Sequence, residues 1–307
     1  MKKILKFAVV FTLLFTIFIY PQNYSKAEEI SLKITPLTFK FNIEKGKSES
    51  SVVSIINPNQ VEIKVISSVE DFLQGDEEGT PRFIKNEVNE ETLSDWIKID
   101  NNEINIKPNE KKDISFEISV PQNAASGGHY AAIFFQNINN QKEDNQISVA
   151  GRVGSLILIT VPGDFSMSGE IVEFNQEKYY QKGPIDFGLR FKNTGKTHFQ
   201  TSGIIKIKNT LGKEIAILDL PEHIILPDSI RKFETKWEAK NAFGRYEAIA
   251  EIKDGDGNLK IAKDTFYIIN WMIIIPIIIL LFILIAIILI IKRIKNKKNR
   301  IEKVYRG

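Results

Sequence analysis

Ile114-Ser115-Phe116-Glu117-Ile118-Ser119-Val120 places an apolar side chain at every second position and a polar one between. Side chains of an extended strand point alternately to opposite faces, so this stretch reads as a β-strand with one face in a core and one in water. The pattern recurs on both sides. Upstream, Ile30/Leu32/Ile34 and Phe39/Phe41/Ile43 alternate around Pro36, which suggests an edge strand that breaks or switches sheets. Residues 52–56 and Val61/Ile63/Val65 flank the turn Asn57-Pro58-Asn59 and predict a hairpin. The acidic stretch 71–91 carries Gly75, Gly79 and Pro81 and reads as an exposed insertion. Residues 93–99, with Trp96, and Ile104/Ile106 before Pro108-Asn109 add further strands. Downstream, 121–128 is a small-residue bend, 129–136 an apolar strand, 137–145 a polar hairpin loop, and 147–161 a long run with Gly151 and Gly154 at a bulge. About seven or eight strands at intervals of roughly 8–12 residues, without a helical period, predict an immunoglobulin-like β-sandwich over residues 28–163.

Pro162-Gly163-Asp164 marks a boundary, and the plan then repeats over 164–267 in a second, fibronectin III-like sandwich. Its strands are 171–174, Ile185/Phe187/Leu189/Phe191, 204–207, 215–220, Phe233/Thr235/Trp237, 246–252 and 259–268, with turns at Asn193-Thr194-Gly195 and Leu211-Gly212-Lys213. The two units correspond locally. Pro108 precedes a strand and then Gly128-His129-Tyr130-Ala131-Ala132; Pro227 precedes a strand and then Gly244-Arg245-Tyr246-Glu247-Ala248. Gly-x-Tyr-x-Ala stands where immunoglobulin-like domains place a tyrosine corner, so Tyr130 and Tyr246 are expected to bond back to backbone upstream.

From Trp271 to Ile291 no residue is charged, and twenty-one helical residues span about 31 Å, enough for a bilayer core. A single spanning helix is expected over 268–291, with Trp271 at one interface. Lys292, Arg293 and Lys295 open a basic tail, 292–307, that belongs on the cytoplasmic side and places both sandwiches outside. Lys2, Lys3 and Lys6, the short apolar stretch 7–20 and Ser25-Lys26-Ala27 read as an export signal cleaved after Ala27; an uncleaved anchor is the competing reading. The chain has no cysteine, so hydrophobic cores, not disulfides, must hold the exported part together. That part carries 29 basic against 37 acidic residues, about −8, although the whole chain is +3. Nucleic acid is therefore not expected as a partner.

Little in the chain points to catalysis. His129, His198 and His223 are scattered, and no metal-ligand spacing, nucleophile elbow or phosphate-cradling loop occurs, so no enzyme activity and no cofactor are expected. Asp254-Gly255-Asp256-Gly257-Asn258 resembles the opening of a calcium loop, but Leu259 and Thr265 stand where that loop needs Gly and Glu, which favours a hairpin turn. Asp76, Glu77 and Glu78 could pose as paired acids, yet an exposed insertion gives nothing to raise a pKa. Ser126-Gly127-Gly128-His129 is the candidate binding surface, weighed against a bend that backbone geometry demands.

The export signal, paired β-units, C-terminal helix and basic tail resemble the WxL-interacting proteins of Gram-positive cell surfaces. Ile34-Thr35-Pro36 with Phe39, Pro108-Asn109-Glu110, and Ser119-Val120-Pro121 leading to Gly127-Gly128 and Ile133-Phe134 are similar to that family's first domain. The resemblance implies peptidoglycan binding by the first domain and partner surface proteins for the second. The chain has no Trp-x-Leu of its own: Trp96, Trp237 and Trp271 are followed two residues later by Lys, Ala and Ile. The first unit is also similar to periplasmic pilus chaperones, whose long last strand pairs with a client; 147–161 would take that part. The reading is a single-pass cell-membrane protein that binds a cell-wall polymer or a surface protein by loops and strand edges. The alternative is a membrane-tethered, chaperone-like scaffold for exported proteins, binding them by strand addition.

Overall fold

The computed structural model of the chain describes residues 32–84, 92–138 and 151–304, without the side chains of residue 273 and residues 296–304. The expected export signal at 1–27, most of the loop at 137–145 and the start of the run at 147–161 lie outside the described residues.

Residues 33–161 build two facing sheets. The first contains β1 (Lys33–Thr35), β3 (Ser48–Ile56), β8 (Lys111–Ser119) and β6 (Ile97–Ile99), in that spatial order. The second contains β2 (Thr38–Asn42), β10 (Arg152–Val161), β9 (Gly127–Asn137), β4 (Ile63–Gln74) and β5 (Pro81–Ile84), with β7 (Glu103–Ile106) also on β4. Alternation decides which side chains meet: Val53, Ile55, Phe116 and Ile118 face Ile63, Val65, Ile133, Phe135, Ile157 and Ile159 in one core. At Pro36 the first strand changes sheet, since β1 pairs antiparallel with β3 and β2 pairs parallel with β10.

Four expectations for this unit fail. β3 and β4 lie in opposite sheets and do not form a hairpin, because the buried turn at Asn57 carries the chain from one layer to the other. Gly154 pairs with Phe134 in an unbroken ladder and marks no bulge. The stretch 71–91 does not begin as an insertion, because residues 71–74 finish β4 and β5 folds back on them with Phe83 opposite Phe72. Asp71 is only 6% exposed. Its carboxylate accepts the Thr92 hydroxyl at 2.5 Å, the Ser94 hydroxyl at 2.7 Å and the Ser94 N–H at 3.0 Å, which replaces the lost water. The acidic composition of the turn 75–80 concealed the two phenylalanines that flank it. Residues 93–96 form one helical turn, Leu93–Trp96, rather than a strand; the Asp95 carboxylate accepts the Thr92 N–H at 3.0 Å, and Leu93 and Trp96 enter the core.

The second unit pairs β11 (Gly169–Asn175), β13 (Ile185–Asn193) and β16 (Ile230–Trp237) in one sheet. Its other sheet runs β12 (Tyr179–Tyr180), β18 (Leu259–Ile268), β17 (Gly244–Lys253), β14 (Phe199–Asn209), β15 (Glu214–Ile225). Phe187, Leu189, Phe191 and Phe233 pack against Ile205, Ile207, Ala248, Ala250 and Phe266. Ile268 is the last residue of β18 and not part of the C-terminal helix, which runs Trp271–Val304 and continues through most of the basic tail. Residues 274–295 are long and apolar enough to cross a membrane, with none of that window buried inside the protein.

The units repeat each other more closely than their strand patterns suggest. Pro108-Asn109 and Pro227-Asp228 are matching turns, with φ of 58° at Asn109 and 56° at Asp228 after the proline. A fully buried asparagine ties each turn to the strand beside it. Asn57 Nδ2 donates to the carbonyls of Val61, Ile106 and Lys107, and Asn193 Nδ2 to those of Thr197 and Ile225; the Asn57 N–H donates to Glu110 O and the Asn193 N–H to Ser229 O, both at 3.0 Å. Asn193 Oδ1 also accepts the Gly195 N–H. Asn193→Ala would leave two buried carbonyls and an N–H without partners, so the second sandwich should lose about 2–4 kcal/mol. A urea titration measures this, and a loss too small to resolve would show that water replaces the amide.

Candidate binding site between the two sandwiches

In β9 the apolar residues run without interruption from Tyr130 to Phe135, and all six are buried. A strand of this kind is covered on both faces. One face is the core; the other carries Tyr130, Ala132 and Phe134, beside Phe72 on β4 and Leu156 and Leu158 on β10. The second sandwich covers part of that outer face, with Leu226 and Ile224 packed against Phe72, Tyr130 and Leu158. Phe134 is instead covered by the Arg152 guanidinium, 3.8 Å from its ring centre and held by Glu70 at 2.6 Å.

Hydrogen bonds frame this apolar contact on two sides. On one, the Gly128 N–H donates to Lys196 O at 2.8 Å, the His198 N–H donates to the Tyr130 hydroxyl at 2.9 Å, and the Thr160 and Thr197 hydroxyls meet at 3.0 Å. On the other, the Lys232 N–H donates to Glu77 O at 2.9 Å and Arg190 clamps the Glu77 carboxylate at 2.5 and 2.8 Å. The Arg190 guanidinium holds the Glu77 carboxyl below its ordinary pKa. Glu77, expected as a solvated loop residue, is thus an interdomain anchor.

Of the residues singled out in the sequence, Ser126, Gly127 and Gly128 fall at this joint, and Gly128 and His129 also line a surface cleft of about 580 Å³ with Trp96 and Phe72. Gly127 has φ of 126°, and a Cβ there would meet Lys196 O at 2.6 Å; at Gly128 it would meet the Tyr130 hydroxyl at 1.9 Å. At 127 the second sandwich leaves no room for a side chain, and at 128 the Tyr130 hydroxyl that bonds across the joint leaves none. Ser126 packs on Gly163 of the linking turn, where an added Cβ would meet its Oγ at 2.2 Å. His129 turns to its own sandwich, with Nε2 2.9 Å from Ala125 O and its ring 4.6 Å from that of Trp96. The Tyr246 hydroxyl donates to Phe243 O and accepts the Phe243 N–H, a bond to backbone upstream. The Tyr130 hydroxyl bonds instead across the joint to His198. It departs from a tyrosine corner because position 127, its counterpart to Phe243, lies against Lys196. Trp271 begins the C-terminal helix, with Lys292, Arg293 and Lys295 exposed further along it.

Beside the joint the two sandwiches enclose a groove of about 460 Å³. Thr38, Lys40, Leu156 and Leu158 form one wall, and His223, Ile224 and Arg231 stand on the other. Lys40 Nζ reaches Gln200 Oε1 across it at 2.6 Å. Arg231 Nε is buried without a partner among the described residues, and burial lowers the pKa of that guanidinium. The wall ends in an open strand edge. Leu156 donates to Leu37 O and Ile43 to Thr160 O, so alternate residues of β2 turn toward β10, and Thr38, Lys40 and Asn42 direct N–H and C=O outward. The same alternation turns Arg152 and Gly154 outward, where β1 has already left for the other sheet. Among the described residues no strand pairs the outer side of β2. Nor do any three His, Asp or Glu side chains there form a metal-holding group.

Sequence reading missed the groove because its walls come from distant segments. The continuous apolar run in β9 was the available sign that a second layer covers the outer face. No family model matches the chain, and no curated protein matches its sequence. Among solved structures it is similar to the class 5 fimbriae chaperone CfaA, with 12% identity over 77% of this chain and 99% of that one and a TM-score of 0.36. It is also similar to the E. coli chaperone DraB (11%, 78% and 95%, TM-score 0.37). A chain of the CsuC–CsuE chaperone–tip adhesion subunit complex of Acinetobacter baumannii is comparable (14%, 76% and 97%, TM-score 0.36). Likeness at this level carries no argument about what the chain binds.

Burial, with Lys40 adding to it, holds the His198 imidazole neutral down to about pH 4, against 6.5 for an ordinary histidine. Its Nδ1 lies 3.3 Å from the Tyr130 hydroxyl and can accept from it only while unprotonated. Because the folded pKa is depressed, the joint is at full strength above pH 6.5 and weakens as the pH falls toward 4. Proteolysis at the linking turn 162–164 should accelerate over that window, and His198→Gln should flatten the pH dependence. An unchanged profile in His198→Gln would assign the effect to other groups.

Proposed function

We propose that the chain is a membrane-anchored binding protein, not an enzyme, that holds an exported polypeptide by adding it as a strand beside β2. The helix of residues 274–295 anchors it, and the basic residues from Lys292 onward lie on the cytoplasmic side by the positive-inside rule, leaving both sandwiches outside. The observation that carries this reading is the open edge of β2, with the outward backbone groups of Thr38, Lys40 and Asn42 standing beside the interdomain groove. A strand placed there would receive main-chain hydrogen bonds. Its alternate side chains would cover the half-buried Phe39 and Phe41 on one face and enter the groove beside Leu156 on the other. The outward main-chain groups favour a polypeptide as the occupant, although the resemblance to WxL-interacting proteins implies a cell-wall polymer for this first domain and a surface protein for the second. For a cell-wall polymer, the other partner that resemblance implies, no comparable feature stands out among the described residues.

The Lys40 N–H points away from β10, so Lys40→Pro removes an outward donor while leaving the ladder intact, as proline is tolerated on an edge. A photo-crosslinking side chain at position 42 should capture an exported protein in cells, and Lys40→Pro should abolish that capture with the unfolding midpoint nearly unchanged. Crosslinks to wall sugar instead of protein, or capture unaffected by the proline, would defeat the strand-addition reading.

A further inference from the structure

The end of the second sandwich that bears the helix is apolar where loop tips are ordinarily polar. β18 does not fray before the helix: the Ile269 N–H donates to Tyr180 O at 2.8 Å, and Asn270 Oδ1 then accepts the Met272 N–H at 3.1 Å as a helix cap. Two residues, Ile269 and Asn270, separate the sheet from the helix. Register brings other segments to the same end, since Gly244 lies opposite Ile268 and Asn209 opposite Tyr246. The β14–β15 turn, the loop before β17 and the short strand β12 therefore all border the point where the chain leaves.

Their tips expose large apolar and aromatic side chains. Leu211 is 91% exposed, Tyr179 66%, Phe243 62% and Trp271 52%, and the Tyr179 ring stacks on Tyr267 at 5.5 Å. The Leu211 side chain does nothing for its turn, which is held by Asn209 Oδ1 accepting the N–H groups of Leu211 and Lys213. The opposite end differs in kind: its β17–β18 turn is Asp254-Gly255-Asp256-Gly257-Asn258, with no apolar residue. Lys178, Lys182, Lys213, Lys240 and Arg245 are exposed at this end beside Glu177, Glu214 and Glu238, so a modest basic excess accompanies the apolar and aromatic tips. Leucine at a tip and aromatic rings at a rim suit the boundary between water and hydrocarbon. With strands about 4.8 Å apart, the tip of β14 lies only about 10 Å to the side of β18.

We propose that this end of the second sandwich is itself a lipid-binding surface: Leu211 and Phe243 enter the bilayer and Tyr179, Tyr267 and Trp271 lie at its interface. The domain is then held upright, by several points and not by the helix alone. The inference rests on reading the helix as a bilayer span, and its test separates the two.

The chain has no cysteine, so single cysteines can be labelled with a nitroxide in the full-length protein. Labels at positions 211, 243, 259 and 282 would be studied in vesicles of phosphatidylcholine and phosphatidylglycerol. Position 259 lies at the far end of β18, roughly 30 Å from Ile268 at the spacing of strand residues. Collision with a water-soluble nickel chelate should be several-fold lower at 211 and 243 than at 259, and collision with oxygen higher. Since a nitroxide is itself apolar, Leu211→Asp with the label at 243 is a second measurement, and it should raise chelate access at 243. If 211 and 243 are as open as 259 while 282 is protected, the lipid-binding surface is wrong and the span stands. If the chelate reaches 282, the span itself is wrong and this inference falls with it.

Discussion

The His198 N–H donates to the hydroxyl of Tyr130, and the rest of the arrangement depends on that contact between two sandwiches joined only by residues 162–168. A link that short does not set an angle by itself. The angle is set because Gly127 and Gly128 let the 194–198 loop come within hydrogen-bonding distance of β9, where any side chain would strike Lys196 O or the Tyr130 hydroxyl. With that side fixed and the Glu77–Arg190 clamp on the other, Leu226 is pressed onto Phe72 and Leu158, and the groove is what remains beside them. A hydroxyl and a backbone amide removed from water must pair with each other, so the joint has one preferred seating.

Asn193 extends the same constraint into the second core. Its amide holds Thr197 O and its carbonyl holds the Gly195 N–H, so the loop that meets Tyr130 is also tied down within its own sandwich. Asn57 does the matching task in the first unit, where its amide ties the β3–β4 connection to the end of β7. In a chain without disulfides, such buried amides add directional restraint to what apolar burial supplies without direction.

The edges of the first sandwich are short, unlike β11, β15 and β16 of the second, which have 7, 12 and 8 residues. β1 and β6 have three residues each, and β5 and β7 four. The β2 edge is also short and carries Lys40, a residue that discourages accidental pairing, yet its neighbour β10 continues past it with outward groups at Arg152 and Gly154.

Strand alternation in 114–120, the sheet change at Pro36 and the apolar stretch from Trp271 were legible because each is a local periodicity or a length, and both are properties of the chain alone. The paired prolines 108 and 227 were legible for the same reason. Phe72 and Phe83 were not, because the acidic turn between them dominates the composition, and the helical turn at Leu93–Trp96 is too brief to show a period. Local pattern alone sufficed for the β-sandwich class and for an apolar helix long enough to cross a membrane. Packing between distant segments settles that Tyr130 bonds to His198 rather than to its own loop, that Glu77 grips Arg190, and that a groove opens beside β2. Those contacts join residues 68, 113 and 160 positions apart, and no local pattern specifies which distant surface will desolvate a given polar group.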